Sequence, residues 1–418
     1  MTKYKINSFF SGIGGFDIAF EKNGFTTQLL CEINPFCNQI LNKHWPDIIK
    51  VEDINSIKLE DIPNSKLWCG GFPCQDISVA RGASKRLGLK GTRSGLFFKF
   101  AELISKKKPE IIIIENVAGL FTSHKGRDFG VILQTLSSLG YAITWRLLNS
   151  RYFGVPQSRT RIYICCWLNN PQKALEVMFD EYGSQKPQNE RIDFITEANM
   201  PNEYPKVPKI SYCLAASSGR HTGTDWSRTY VVCHNGVRRL SPLESERLQG
   251  FPDNWTNPND NGEADDNIDT LRYTAIGNAV TIPVVEWIAK RIYKILKEKE
   301  NSFELNSILP QYKDFQKEKW EEELLSNMDF QDSKKEYKWL KGGLVWNNKV
   351  IECNAYPTPQ SIKESSLLPL IDTSNNNKTY FLTPNAAEGI LRRVDNQKRS
   401  LFVPLRIALE ELKSQNIK

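Results

Sequence analysis

Four consecutive isoleucines, Ile111 to Ile114, run straight into Glu115-Asn116-Val117. Successive side chains on a strand point to opposite faces, so such a run needs cover on both sides. It predicts a fully buried parallel strand at the centre of a sheet with helices above and below. The surrounding chain agrees. Strand-like stretches at Ile6–Phe10, Thr27–Cys31, Tyr141–Leu148 and Ile162–Leu168, with a short one ending at Val51–Ile54, alternate with helical spacing over Asp17–Asn23, Pro35–Trp45, Leu96–Leu103 and Phe129–Leu139. That alternation predicts an α/β fold. Glu115 then lies at the carboxyl end of a central strand, where open α/β sheets place their chemistry. A half-buried carboxylate there tends to hold a proton.

Two other loops should reach the same edge. Ile6–Phe10 leads through Phe10-Ser11-Gly12-Ile13-Gly14-Gly15-Phe16 into a helix. Glycines there let backbone approach a nucleotide-like ligand near a helix N-terminus, although the spacing is not the dinucleotide GxGxxG. Glu32, about 20 residues further on, stands where an acid accepts hydrogen bonds from two ribose hydroxyls. A solvated strand-end glutamate is the alternative. Asp53 could accept from the exocyclic amine of an adenine, with Ile54 on the ring face. The second loop, Trp68-Cys69-Gly70-Gly71-Phe72-Pro73-Cys74-Gln75-Asp76-Ile77-Ser78, holds two thiols of different character. Cys69 sits in the apolar run and reads as a small buried residue. Cys74 lies past the strand, between Pro73 and polar residues, and reads as chemistry. From Arg81 to Arg93 there are five basic residues, no acid and three glycines, which suits a mobile flap that meets phosphates.

Arg159 and Arg161 are expected on one face of a strand, either as an anion clamp or as an edge-strand solubility pair. From about Asn169 to Tyr204 periodicity fades. Ile210–Ser217 and Thr229–Cys233 look like strands around a polar loop with Arg220, His221, an exposed Trp226 and Arg228. Such a loop suits contact with nucleic acid or with protein. Ser241, Pro242 and Gly250 mark the cap, first turn and stop of a helix. Ser302 to Lys338 is charged and helix-prone. A net charge of +7 is compatible with a polyanionic partner without demanding one. Nine cysteines without a CxxC pair suggest reduced thiols in a cytoplasmic protein and no zinc site. There is no apolar run of about 18 residues to span a membrane, and the N-terminus does not resemble a cleaved signal peptide.

Taken in order, FSGIGGF, GFPCQ, ENV, QSRTR, RRLSPLESERLQGFPD and AIGNAV resemble the motif set of the cytosine-C5 DNA methyltransferases, from about residue 5 to 297. The resemblance implies a Rossmann-like, S-adenosylmethionine-dependent α/β sheet with a smaller target-recognition domain and a C-terminal extension. The catalytic domain is expected over residues 1–180, completed by 273–297, with recognition at 181–272 and the extension at 298–418. It implies S-adenosylmethionine as donor, S-adenosylhomocysteine as product and no metal. Phe10, Gly12, Ile13, Gly14, Gly15, Glu32, Ile33, Asp53, Ile54, Phe72, Leu96, Asn278 and Val280 would surround the donor. Cys74, Glu115, Arg159 and Arg161 would be catalytic. Gln75, Ser78, Arg81, Lys85, Arg86, Lys90, Arg93, Arg220, Arg228 and Arg239 would meet double-stranded DNA. A cytoplasmic monomer is expected, and a cognate restriction endonuclease or a phage self-protection role is compatible.

Departures from the family pattern are Ser158 and Thr160 as fillers of the arginine motif, Ala279 where serine is frequent, and Ala80 in the flap. They bear on fine contacts, not on the reaction. The tRNA-methylating branch usually has a proline where Phe72 stands and a late Cys-Phe-Thr that is missing here. A non-catalytic DNA-binding module sits poorly with Cys74, Glu115 and Arg161 together. A dinucleotide oxidoreductase leaves GFPCQ and ENV unaccounted for.

Overall fold

The computed structural model describes residues 4–73, 95–188, 192–198, 203–219, 225–258, 266–298, 309–316, 323–374 and 378–415. The chain first winds one way from its opening strand, through β1 (Tyr4–Phe9), α1 (Gly15–Glu21), β2 (Phe25–Cys31), α2 (Pro35–His44) and β3 (Ile49–Val51). It then crosses β1 and continues as β4 (Leu67–Gly70), α3 (Leu96–Lys107), β5 (Ile111–Val117), α4 (Arg127–Ser138), β6 (Tyr141–Asn149), β7 (Thr160–Leu168) and α5 (Pro171–Met178). Strands β3, β2, β1, β4 and β5 lie side by side and parallel. The winding reverses between β1 and β4, and that reversal opens a crevice at the carboxyl ends of the strands.

The isoleucine run occupies the predicted centre. All four side chains are fully buried, Ile111 and Ile113 in one apolar core and Ile112 and Ile114 in the other. Each such burial contributes roughly 2 kcal/mol. The parallel expectation holds on one side only. β5 is parallel to β4 but antiparallel to β7. The chain goes out to β6 one place beyond, then drops back through β7 into the gap. Residues Cys165 and Cys166 alternate between the same two cores.

Past residue 180 no described strand is longer than five residues. β8 (Tyr230–Cys233) and β9 (Gly236–Arg239) form a separate hairpin. α6 (Pro242–Gln249) starts with a complete capping box: the Ser241 hydroxyl accepts from Glu244 N, and the Glu244 carboxylate accepts from Ser241 N. It stops at Gly250, whose φ of 82° is left-handed. α7 (Asp266–Asn278) and α8 (Ile282–Ile295) bring the chain back to the sheet. The strand expected over Ile210–Ser217 does not form. Ser211 makes one isolated bridge to Gln157, and the Gln157 side chain takes the Leu214 amide that a neighbouring strand would have taken.

The extension does not fold apart from the rest. After α9 (Lys313–Gln316) and β10 (Glu323–Leu324), β11 (Gly342–Trp346) pairs with β6, and β12 (Lys349–Cys353) with β11. The sheet thereby reaches ten strands, in the order β10-β12-β11-β6-β7-β5-β4-β1-β2-β3. Among the described residues of the charged stretch before β11, only short elements form instead of a long helix. α10 (Pro384–Asn396) and α11 (Val403–Ser414) then pack on the β8–β9 hairpin.

Candidate active site

The turn after β1 is held open by its backbone. Phe10, Gly12 and Gly14 all have positive φ, at 54°, 55° and 80°. A Cβ on Gly12 would meet nothing within 4 Å, so the space above that peptide is vacant. A Cβ on Gly14 would lie 2.3 Å from the Trp45 ring, so helix α2 packs where a side chain would stand. Glu32, at the end of β2, spans this turn: its carboxylate accepts from Gly12 N and Asn34 N, each at 2.8 Å.

Phe10, Gly12, Glu32 and Ile33 form one end of a cleft of about 430 Å³. Its other walls are Phe72 and Pro73 after β4, Leu96 at the start of α3, and Glu115, Arg159 and Arg161. Helix α7 closes it with Leu271, Thr274, Ala275 and Asn278. Those four residues follow an i, i+3, i+4, i+7 spacing, one face of a helix. Asn278 was legible in the sequence. The other three were not singled out, although their spacing from it was the available signal.

Glu115 and Arg161 come together because β7 runs antiparallel to β5. Arg161 pairs across the ladder with Val117, and its Nε reaches Glu115 Oε1 at 3.2 Å. Burial pushes the Glu115 carboxyl above its ordinary value of 4.5, opposed first by Arg161 and then by Arg159. Next to it, Asn116 donates from Nδ2 to Phe72 O at 3.0 Å, fixing the β4 loop against β5. Pro73, the residue before Cys74 in the chain, lines the same cleft as Glu115.

The two arginines differ in situation. Arg159 precedes β7 instead of lying on it, and is 3% exposed. It donates to Leu214 O, Gly277 O and Ala279 O at 2.8–3.0 Å, joining the arginine motif to the segment at Leu214 and to the end of α7. Ile13, Ile54 and Val280, expected around the donor, are buried and do not line the cleft; Val280 packs against Gly15. Asp53 accepts from the amide and side chain of Asn55. Cys74, Gln75, Ser78, Arg81, Lys85, Arg86, Lys90, Arg93 and Arg220 lie outside the described residues.

A family model described as C-5 cytosine-specific DNA methylase matches residues 4–212 and 182–294 of this chain. The chain belongs to that family. The methylase shares 32% identity over 312 residues with the Type II methyltransferase M2.BsuMI of Bacillus subtilis, covering 69% of this chain and 75% of that one. It shares 34% over 303 residues with M.NgoBI of Neisseria gonorrhoeae, covering 68% and 91%, and 33% over 316 residues with M.HaeII of Haemophilus aegyptius, covering 69% and 92%. Membership implies S-adenosylmethionine as methyl donor and DNA as substrate. Among the described residues no helix is long and apolar enough to cross a membrane.

Two arginines read as DNA contacts are engaged within the methylase. Arg228 donates to Ser217 O at 2.8 Å and Ser218 O at 3.2 Å. Arg239 donates to Gly219 O and lies between the rings of Tyr273 and Tyr380, 5.6 Å from each. Both hold carbonyls of residues 217–219. Trp226 is half-buried, under Arg399, rather than exposed.

Proposed function

We propose that this methylase modifies C5 of a cytosine swung out of duplex DNA, through a covalent adduct with Cys74, within restriction-modification or phage self-protection. One observation carries the reading: the buried Glu115–Arg161 pair faces the same cleft as the open Gly12 turn and Glu32. The residues suit a nucleoside-bearing donor. Gly12 leaves room above its peptide, Phe10 and Ile33 offer apolar faces, and the Glu32 carboxylate stands at the rim. Bound there, S-adenosylmethionine supplies an electrophilic methyl group.

The chain's own groups make cytosine receptive. The Cys74 thiolate adds to C6, and electron density moves to C5 and N3. Glu115, whose carboxyl burial shifts toward the protonated form, gives a hydrogen bond to N3 and relieves the charge that builds there. Arg161 orients the Glu115 carboxyl and offers its remaining donors to the base carbonyl. Loss of the C5 proton and departure of the Cys74 sulfur then restore the aromatic ring. A stacked base cannot reach this cleft, so the nucleotide must leave the helix. Residues 181–272 read the target sequence.

Bisulfite sequencing of DNA from cells expressing the protein tests this. Protected cytosines in one short sequence context are expected, and Cys74→Ala removes them. Full protection by Cys74→Ala, or protection confined to RNA, ends the reading.

A further inference from the structure

The family match stops at residue 294, yet the chain beyond it is woven into the recognition region. The weaving is at backbone level. Leu382 N donates to Val237 O at 2.8 Å, and Phe381 bridges Arg238, so the extension adds a short third edge to the β8–β9 hairpin. Arg238 forms a buried pair with Glu244, and both sides of that pair also bond the backbone of Asp372. Behind the hairpin, Ile390, Leu391, Val394, Phe402, Leu405 and Leu409 of the α10–α11 region share one apolar core with Tyr230, Val232 and Val237. The two-stranded hairpin alone could not bury a core of that size.

The same helices grip the segment that leads into Arg228. Arg393 of α10 donates from Nε to Asp225 Oδ2 at 2.8 Å, and the Asp225 side chain is fully buried. Tyr230 OH donates to the other oxygen of Asp225 at 3.1 Å. The Arg399 guanidinium lies 4.5 Å from the centre of the Trp226 ring. Arg228 in turn holds the carbonyls of Ser217 and Ser218.

Direct attraction of phosphates is a poor description of these helices. Arg406 pairs with Asp395 and Glu410, and Lys413 with Glu388, so much of their charge is spent locally. A surface that binds duplex DNA by charge leaves its cations available.

We propose that residues 378–415 are the second half of the DNA-recognition unit, and that Arg393 is a positioning residue. Through Asp225 it sets where the 225–228 segment meets the base pairs of a duplex. The inference rests on the reading that residues 181–272 contact DNA.

The test uses the full-length chain with Arg393→Ala, Arg393→Lys and Arg228→Ala. Substrates are a duplex bearing the methylated sequence and duplexes with one base pair changed in it. Removing one partner of a buried ion pair is expected to raise the KM for the duplex roughly tenfold, equivalent to about 1.4 kcal/mol. It should also narrow the ratio between correct and altered sequences. The KM for S-adenosylmethionine and kcat at saturating duplex stay within about twofold, as expected for a change in uniform binding. Arg393→Lys, which keeps a cation opposite Asp225, recovers most of the loss. Arg399→Ala, which removes only the contact on Trp226, gives a weaker shift of the same kind and serves if Arg393→Ala does not fold. Unchanged duplex KM and discrimination in folded Arg393→Ala overturn the inference, as does an equal loss toward S-adenosylmethionine. If Arg228→Ala alone weakens the duplex, only the coupling fails. If neither variant has an effect, the reading of this region as DNA-contacting fails with it.

Discussion

Glu115 shows how one residue inherits its chemistry from burial. Its carboxyl titrates above 4.5 because it is out of water, and the nearby guanidiniums only partly offset this. The raised value means the protonated form survives as pH climbs past 4.5 and is lost when pH passes through the folded value. The wild type should therefore show a limb of falling kcat toward high pH that Glu115→Gln lacks. Glu115→Gln should also lower single-turnover rate by about 10²–10⁴, the span for a lost general acid. An unaltered rate in that variant would remove Glu115 from the reaction. Asp17 offers a second titration, away from the cleft. It is fully buried in α1, accepts from Ser8 and Thr27, and burial pushes it up to about 7. The folded chain holds that proton where the unfolded chain has released it, so the associated stability is present at low pH and lost as pH rises through about 7. The whole loss, between 3.8 and about 7, is of order 4 kcal/mol, about 3 of it above pH 5, and Asp17→Asn should flatten that part in urea midpoints compared between pH 5 and pH 8. Residue chemistry of this sort was partly legible. Glu115, Glu32 and Gly12 announced themselves by their place at strand ends. Arg159 was legible as a clamp or catalytic group, but not as a backbone tie, because the carbonyls it holds come from residues 214, 277 and 279, and only the tertiary fold brings those to one point.

At the scale of elements, periodicity carried most of the first 180 residues. The strands and helices fall where apolar spacing put them, and the ends move by a few residues because caps decide them. α1, for example, begins at Gly15 because Gly14 takes the left-handed cap. Direction along the sheet was less legible. A fully apolar run says that both faces are covered and says nothing about which way the neighbour runs, so β7 came as a correction. Ile210–Ser217 failed for the converse reason: its hydrogen bonds are taken by the side chains of Gln157 and Arg159, a competitor that local pattern does not reveal. Two expectations belong at this scale. Ile113→Ala should cost about 2–5 kcal/mol in denaturant unfolding, as buried large-to-small changes do. Ser241→Ala should cost about 1 kcal/mol by loss of its half of the capping box, and a value near zero would show that Pro242 alone starts the helix.

For the whole molecule, the extension was the least legible part. Its strands have two to five residues, and the one that joins them to the catalytic sheet, β11, pairs with the far earlier β6, Gly342 opposite Arg146, so nothing local announced that they complete that sheet. A chain ended at residue 298 uncovers β6 and the Trp145 ring that meets Trp339. It should unfold at a lower temperature than the full chain in a thermal melt, and an unshifted transition would show the added strands to be dispensable. The outer strands have a further consequence. Among the described residues, the ten-stranded sheet ends on one side in two residues, Glu323–Leu324, and on the other in three, Ile49–Val51. Open backbone donors and acceptors invite another polypeptide to dock alongside and propagate the ladder. So broad a sheet, trimmed to stubs at both margins, offers a stray chain almost nothing to grow on.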